Sequence, residues 1–313
     1  MTSLQQVLAV FAENPMMFAI VSAVLGLLVG SFLNVVVYRL PIMLERSWKE
    51  ECEDFLTGLA GNKLASNATT DEEDESVSVK AVKQRSRFDL SKPDSHCPHC
   101  QHKIAAWENI PIISFVLLGG KCRSCKTRIS FRYPVVEALT GILSFAVAMH
   151  FGFGVQAVAA LVLTWSLISL SLIDYDTQLL PDVMTLPLLW LGLILSLWGV
   201  FVEPATSIIG AVSGYLVLWL MFQLFKLATG KEGMGFGDFK LLAVLGAWLG
   251  WQLLPAIILL SSLAGAVIGI SLIVFKKHNK DKPIPYGPYL AIAGWLALMW
   301  GEQINTAYLR VVT

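Results

Sequence analysis

Eight stretches of nearly unbroken apolar sequence, near 16–38, 134–152, 155–173, 183–201, 207–228, 239–251, 252–275 and 287–300, constrain this chain more than anything else in it. An α-helix needs roughly 20 apolar residues to cross a bilayer, because no water is present there to satisfy an unpaired backbone. The expected fold is therefore an all-α polytopic membrane protein with about eight transmembrane helices. The stretches 239–251 and 252–275 abut at "GWQLLP", so seven spans with one broken helix is also open. With 55% hydrophobic and only 15% charged residues among 313, a soluble globular fold is excluded. The first stretch lacks the basic flank and small-residue cleavage site of a secretory signal, so it is read as a retained helix.

Formal charge cancels at 23 Lys+Arg against 23 Asp+Glu, but the cations are segregated. None occurs in 1–38, and fifteen lie between Arg39 and Arg132. Lys and Arg mark cytoplasmic loops. The segment 39–133 is thus expected to be a cytoplasmic domain between the first and second helices, with the N-terminus extracytoplasmic. Threading the remaining spans places Lys226, Lys231, Lys240, Lys276, Lys277, Lys280 and Lys282 at cytoplasmic boundaries and leaves Arg310 outside. A transmembrane core over 134–302 and a short tail over 303–313 complete the division.

Under that threading two carboxylates arrive on one face. "SLIDYDTQLLPD" puts Asp174 at the end of the third span, and "GFGD" puts Asp238 at the start of the sixth. Ionisable groups at that depth are costly and usually functional. Gly235 and Gly237 precede Asp238 and allow two backbones to approach closely. Asp176 reads as a solvated loop carboxylate, and Asp182 as a cap of the helix that follows Pro181. Two carboxylates sharing a site cannot both ionise cheaply, so one keeps its proton while the other activates water. Aspartic proteolysis is the natural chemistry. A proton-coupled transporter also uses buried carboxylates, and a non-catalytic assembly protein holding apolar helices is a third reading.

The large polar segment carries "CPHC" at Cys97 and Cys100 and "CRSC" at Cys122 and Cys125, separated by residues 101–121. Two C-x-x-C pairs at that distance read as a four-thiolate structural zinc site, since a reducing cytoplasm disfavours the alternative of disulfides. His96, His99 and His102 lie nearby as substitute ligands, and Cys52 reads as a free thiol. The acidic run in 66–79 has the composition of a disordered segment; its functional alternative is attraction for a basic peptide.

Taken in order, "GSFLNVVVYRLP" (30–41), the four cysteines, "DYDTQLLPD" (174–182), "KEGMGFGDFK" (231–240) and "PIPYGPYLAIAG" (283–294) resemble the type IV prepilin peptidases over nearly the whole chain. The resemblance implies a bifunctional enzyme of the bacterial inner membrane serving type IV pilus and type II secretion systems. Such an enzyme removes the basic leader of prepilins and pseudopilins after a glycine on the cytoplasmic side. It then methylates the new N-terminal residue, usually phenylalanine, with S-adenosyl-L-methionine. By motif match, Asp174 and Asp238 would be the catalytic pair, Cys97, Cys100, Cys122 and Cys125 the zinc ligands, and Gly120 in "LGGKC" a residue associated with methyl transfer. Gly120 could equally make the turn into the second cysteine pair. The implied partners are prepilin-type substrates and the lipid bilayer, with no role for nucleic acid.

Overall fold

The computed structural model describes residues 3–67, 88–276 and 284–312. Most of the acidic run and all of 277–282 lie outside these residues. Ten α-helices and no β-strand occur among the described residues: α1 (Ser3–Glu13), α2 (Pro15–Asn67), α3 (Ile113–Leu117), α4 (Arg132–Phe151), α5 (Val155–Thr177), α6 (Asp182–Ser196), α7 (Pro204–Thr229), α8 (Phe236–Leu249), α9 (Leu254–Lys276) and α10 (Gly287–Val312). Each of the eight apolar stretches holds a helix, although α6 ends at Ser196, before the end of the stretch 183–201. Among the described residues, five helices are long and apolar enough to cross a membrane, and Asp182–Ser196 is apolar but shorter. The two abutting stretches are separate helices: α8 stops at Gly250, whose φ of 85° favours glycine, and a short 3-10 turn at Trp251–Leu253 leads into α9.

The first apolar stretch is the beginning of a much longer helix. α2 runs for 53 residues, about 80 Å at 1.5 Å per residue, so it continues well past the roughly 30 Å a bilayer core requires. Its distal half is polar and carries the Lys49–Glu45 pair at 2.7 Å one turn apart. Small residues dock its apolar half on α4. A Cβ at Gly30 would lie 2.8 Å from the Glu137 Cα, and one at Gly141 would lie 2.8 Å from Leu27. Close backbone approach of this kind is how helices associate where lipid is as apolar as the side chains.

α8 is the hub. Its 14 residues span only about 21 Å, yet Leu241 through Gly250 are all buried, so this short helix sits among other helices with little surface left for lipid. On the α7 side, Gly210 and Gly246 meet backbone to backbone, and a Cβ at Gly214 would lie 2.7 Å from the Leu242 carbonyl. On the α6 side, the Trp248 indole lies over Gly192 and donates to the Leu188 carbonyl at 2.8 Å. Ser207 donates to the Ala247 carbonyl at 2.6 Å. These bonds satisfy polar atoms that burial would otherwise penalise. The central core gathers Leu163, Leu167, Leu170, Leu218, Leu242, Leu245 and Leu290 around α8.

Candidate active site and metal centre

Four helix ends converge at one end of the bundle. α5 finishes one turn after Asp174, with Gln178 in the left-handed region (φ 55°) donating its N–H to the Asp174 carbonyl at 2.8 Å. α6, α8 and α10 all begin there, bringing Asp182, Asp238 and Gly287 to the same place. Asp174 and Asp238 are both buried and line one cavity of about 470 Å³, within electrostatic reach of each other. The same cavity is walled by Leu180, Val183 and Phe236, and by Leu44 and Trp48 from the distal half of α2.

The glycines before Asp238 have different jobs. A Cβ at Gly237 would lie 2.7 Å from the Leu180 Cβ, so Gly237 is what lets the start of α8 rest on the turn after α5. A Cβ at Gly235 would make only ordinary contact, 3.8 Å from the Asp238 carboxyl. Gly235 instead occupies the N-cap position of α8, where its carbonyl accepts the Asp238 backbone N–H at 3.3 Å. The Asp174 carboxyl is held from the other side, by the Gly287 backbone N–H donating to Oδ2 at 3.0 Å.

The neighbouring carboxylates are engaged elsewhere. Asp176 accepts both guanidinium nitrogens of Arg132 at 2.9 and 2.6 Å, tying the end of α5 to the start of α4. The reading of Asp182 as a helix cap needs correction. Pro181 occupies the N-cap position; Asp182 is a first-turn residue, and both its oxygens accept from Lys240 Nζ at 2.6 and 2.7 Å. A proline cap offers no side-chain acceptor, so the first-turn acid favours the helix electrostatically instead.

The four cysteines form a second constellation. Each pair sits in a knuckle of the same design: the Cys97 N–H donates to the His102 carbonyl and the Cys122 N–H to the Thr127 carbonyl, at 2.9 and 2.8 Å. The residue after each pair, Gln101 or Lys126, has φ of 59°. The four Sγ atoms lie within 4.8 Å of one another, with Cys97–Cys125 at 3.8 Å and Cys100–Cys122 at 3.9 Å. Four thiolates about 2.3 Å from a tetrahedral zinc would stand about 3.8 Å apart, so this donor set fits that ion. Two of the three histidines are engaged elsewhere: His102 meets Glu108 at 3.3 Å, and His96 meets the Asp94 carbonyl at 3.0 Å. Cys52 is an exposed free thiol.

Gly120 sits in the turn leading to the second knuckle. Its φ is 67°, its carbonyl accepts the Ile129 N–H at 2.8 Å, and a Cβ there would press on the Phe115 ring at 3.0 Å. Three further residues position the metal module. Arg39, buried in α2, donates to the carbonyls of Asp89, Leu90 and Pro93 at 3.0, 3.4 and 2.6 Å. Glu137, buried in α4, accepts the Ile112 N–H at 2.8 Å. Glu108 takes the Ala105 N–H at 3.1 Å, which holds its carboxyl below the usual carboxylate range, with His102 and Arg123 adding to the effect. Sequence reasoning passed over Glu137 although an acid inside an apolar span is itself a signal. Gly287 lies within "PIPYGPYLAIAG", where its contribution, a backbone N–H, leaves no side-chain signal.

Residues 24–151 match the Bacterial Peptidase A24 N-terminal domain, and residues 161–270 match the Type IV leader peptidase family. The prepilin leader peptidase/N-methyltransferase of Stutzerimonas stutzeri is 54% identical over 299 residues, covering 96% of both chains. The proteins of the same name from Pseudomonas aeruginosa and Legionella pneumophila are 53% and 42% identical, covering 96% of this chain and 96% and 98% of their own. No solved structure matches the chain significantly. Identity at that level across almost the full length, through both the metal module and the helices that carry the aspartates, means that the chain belongs to the type IV leader peptidase family.

Proposed function

We propose that this protein is a prepilin leader peptidase and N-methyltransferase, and that Asp174 and Asp238 perform the peptidase reaction. The observation that carries the reading is the meeting of these two buried carboxylates in one cavity at one end of the bundle. One aspartate takes a proton from water as the resulting hydroxide adds to the scissile carbonyl carbon. The other, protonated, donates to the carbonyl oxygen. Collapse of the tetrahedral adduct breaks the C–N bond: the departing amine takes the proton that the first aspartate drew from water, and a hydroxyl of the adduct returns a proton to the second, so the pair ends in its starting state. Family membership favours this over the transporter and non-catalytic readings, which gain no separate support.

The substrate class follows from where the cavity lies. A peptide with a basic leader and an apolar helix would keep the helix in the bilayer and present the junction at the end of the bundle where α5 stops and α6, α8 and α10 start. The described residues of the cation-rich segment 39–133 and the loop after α7 belong to that end, which supports a cytoplasmic placement in the inner membrane by the preference of Lys and Arg for that side. In this reading zinc, held by Cys97, Cys100, Cys122 and Cys125, keeps a polar module with little apolar core folded. S-adenosyl-L-methionine supplies the methyl group, and the turn at Gly120 belongs to the part of the chain that serves that second reaction.

Incubating purified protein with a prepilin peptide, with and without S-adenosyl-L-methionine, tests the reading by mass spectrometry. The expected products are a peptide shortened at the leader junction in both cases, carrying one added methyl group only when the donor is present. Intact peptide under both conditions, from folded and zinc-loaded protein, would contradict the proposal.

A further inference from the structure

The geometry points to Gly287 as a positioning residue for the peptidase reaction: its backbone N–H holds the Asp174 carboxyl in its working orientation, and its lack of a side chain makes that contact possible. Gly287 opens α10, and the first N–H groups of a helix have no acceptor within their own helix. Here that unpaired donor is spent on Asp174 Oδ2, at 3.0 Å in a buried setting. Binding one carboxyl oxygen fixes the plane of the group. A donor built into the backbone does this without the rotamer freedom a side-chain donor would lose.

The space around the contact explains the glycine. A Cβ at position 287 would lie 2.6 Å from Asp174 Oδ2 and 3.1 Å from its Cγ, so any other residue must displace the carboxyl it is meant to hold. The preceding residue is fastened independently. The Tyr286 hydroxyl meets the Ser261 hydroxyl of α9 at 2.6 Å, with Ser261 fully buried. The strand of chain that enters α10 is therefore pinned to α9 one residue before it reaches the aspartate. This gives the "PYGPY" segment a task distinct from that of the two aspartates: α10 is the third helix of the site, contributing a backbone group where α5 and α8 contribute carboxyls.

The inference rests on the peptidase reading, and the experiment separates the two. Cleavage of a prepilin peptide is measured for wild type, Gly287→Ala, Asp174→Asn and Gly301→Ala, all full-length and zinc-loaded, alongside methylation of a pre-cleaved peptide. Gly301→Ala is a matched control in the same helix, where the added Cβ crowds Leu253 at 2.8 Å, away from the aspartates. Gly287→Ala should lower kcat roughly ten- to a hundredfold, the range for disturbing a hydrogen bond to a carboxylate, with KM within about twofold of wild type. It should methylate the pre-cleaved peptide at the wild-type rate, and Gly301→Ala should keep wild-type kcat. If Gly287→Ala fails to assemble, an amide-to-ester replacement at position 287, which deletes the N–H and crowds nothing, should show the same fall in kcat. Wild-type kcat in whichever of these two variants assembles, beside an inactive Asp174→Asn, would overturn the role of Gly287 and leave the peptidase reading standing. Uncut peptide with wild type, or full activity in Asp174→Asn, would overturn the reading itself.

Discussion

Asp176 stands two residues from Asp174 on the same helix, and what each touches separates them. Asp174 is buried and lines one cavity with Asp238, whereas Asp176 is clasped by Arg132 with both side chains partly exposed. A pair of that exposure is worth about 1 kcal/mol or less. Asp176→Asn should therefore keep cleavage within a few-fold of wild type, and Asp182→Asn, which frees Lys240 at the cavity wall, should do the same; steady-state kinetics on a prepilin peptide checks both. A dead Asp176→Asn would mean that the Arg132 contact, or Asp176 itself, takes part in the chemistry. Both members of the proposed pair were legible from depth and spacing alone, because an acid beside "SLISLSLI" or opening an apolar run has few uses other than function. Gly287 was not, because its contribution is a backbone N–H, and a sequence records side chains. Asp182 was read as a cap because the usual preference for Asp at that position ignores where the helix actually begins. Pro181 takes the position one residue earlier.

At the scale of elements, the two cysteine knuckles repeat one local design, with matching hydrogen bonds and a positive φ after each pair. Neither knuckle closes a tetrahedron alone. Cys100→Ser should remove bound zinc, from about one ion per chain to well below half, as measured by metal analysis after purification, and should lower cleavage through loss of the fold of 88–131. Full zinc occupancy in that variant would mean a histidine has replaced the thiolate. The eight helical stretches could be read from apolar length, and the break near "GWQLLP" became decidable only through the φ of Gly250. The extent of α2 was hidden for a physical reason. Hydropathy ends where the bilayer ends, but the hydrogen-bonded helix continues in a polar environment, supported by Glu45–Lys49 and by Arg46 stacked 4.2 Å from the Phe88 ring. That continuation is what brings Leu44 and Trp48 to the aspartate cavity.

At the scale of the whole molecule, the metal module and the peptidase core are joined at one end. Arg39 ties the entry of the module to α2, Glu137 ties its middle to α4, and Arg132 ties its exit to α5 beside Asp174. Sidedness should follow as one piece. In intact cells carrying a variant without Cys52, a cysteine replacing Glu203, exposed between α6 and α7, should react with an impermeant thiol reagent. One replacing Lys231, exposed after α7, should react only after permeabilisation. The opposite pattern would invert the orientation and move the cavity to the wrong face for a basic leader. The central claim, that Asp174 and Asp238 act as one hydrolytic pair, is tested most directly by quantifying cleavage of a prepilin peptide by mass spectrometry. Wild type, Asp174→Asn, Asp238→Asn and the double variant are each verified as folded and zinc-loaded. Each single variant should lose at least about a hundredfold to ten-thousandfold in rate, as expected for removal of a general acid or base. The double variant should be scarcely worse than either, because groups that act as a unit are not additive. Cleavage near the wild-type rate in either single variant would contradict the account.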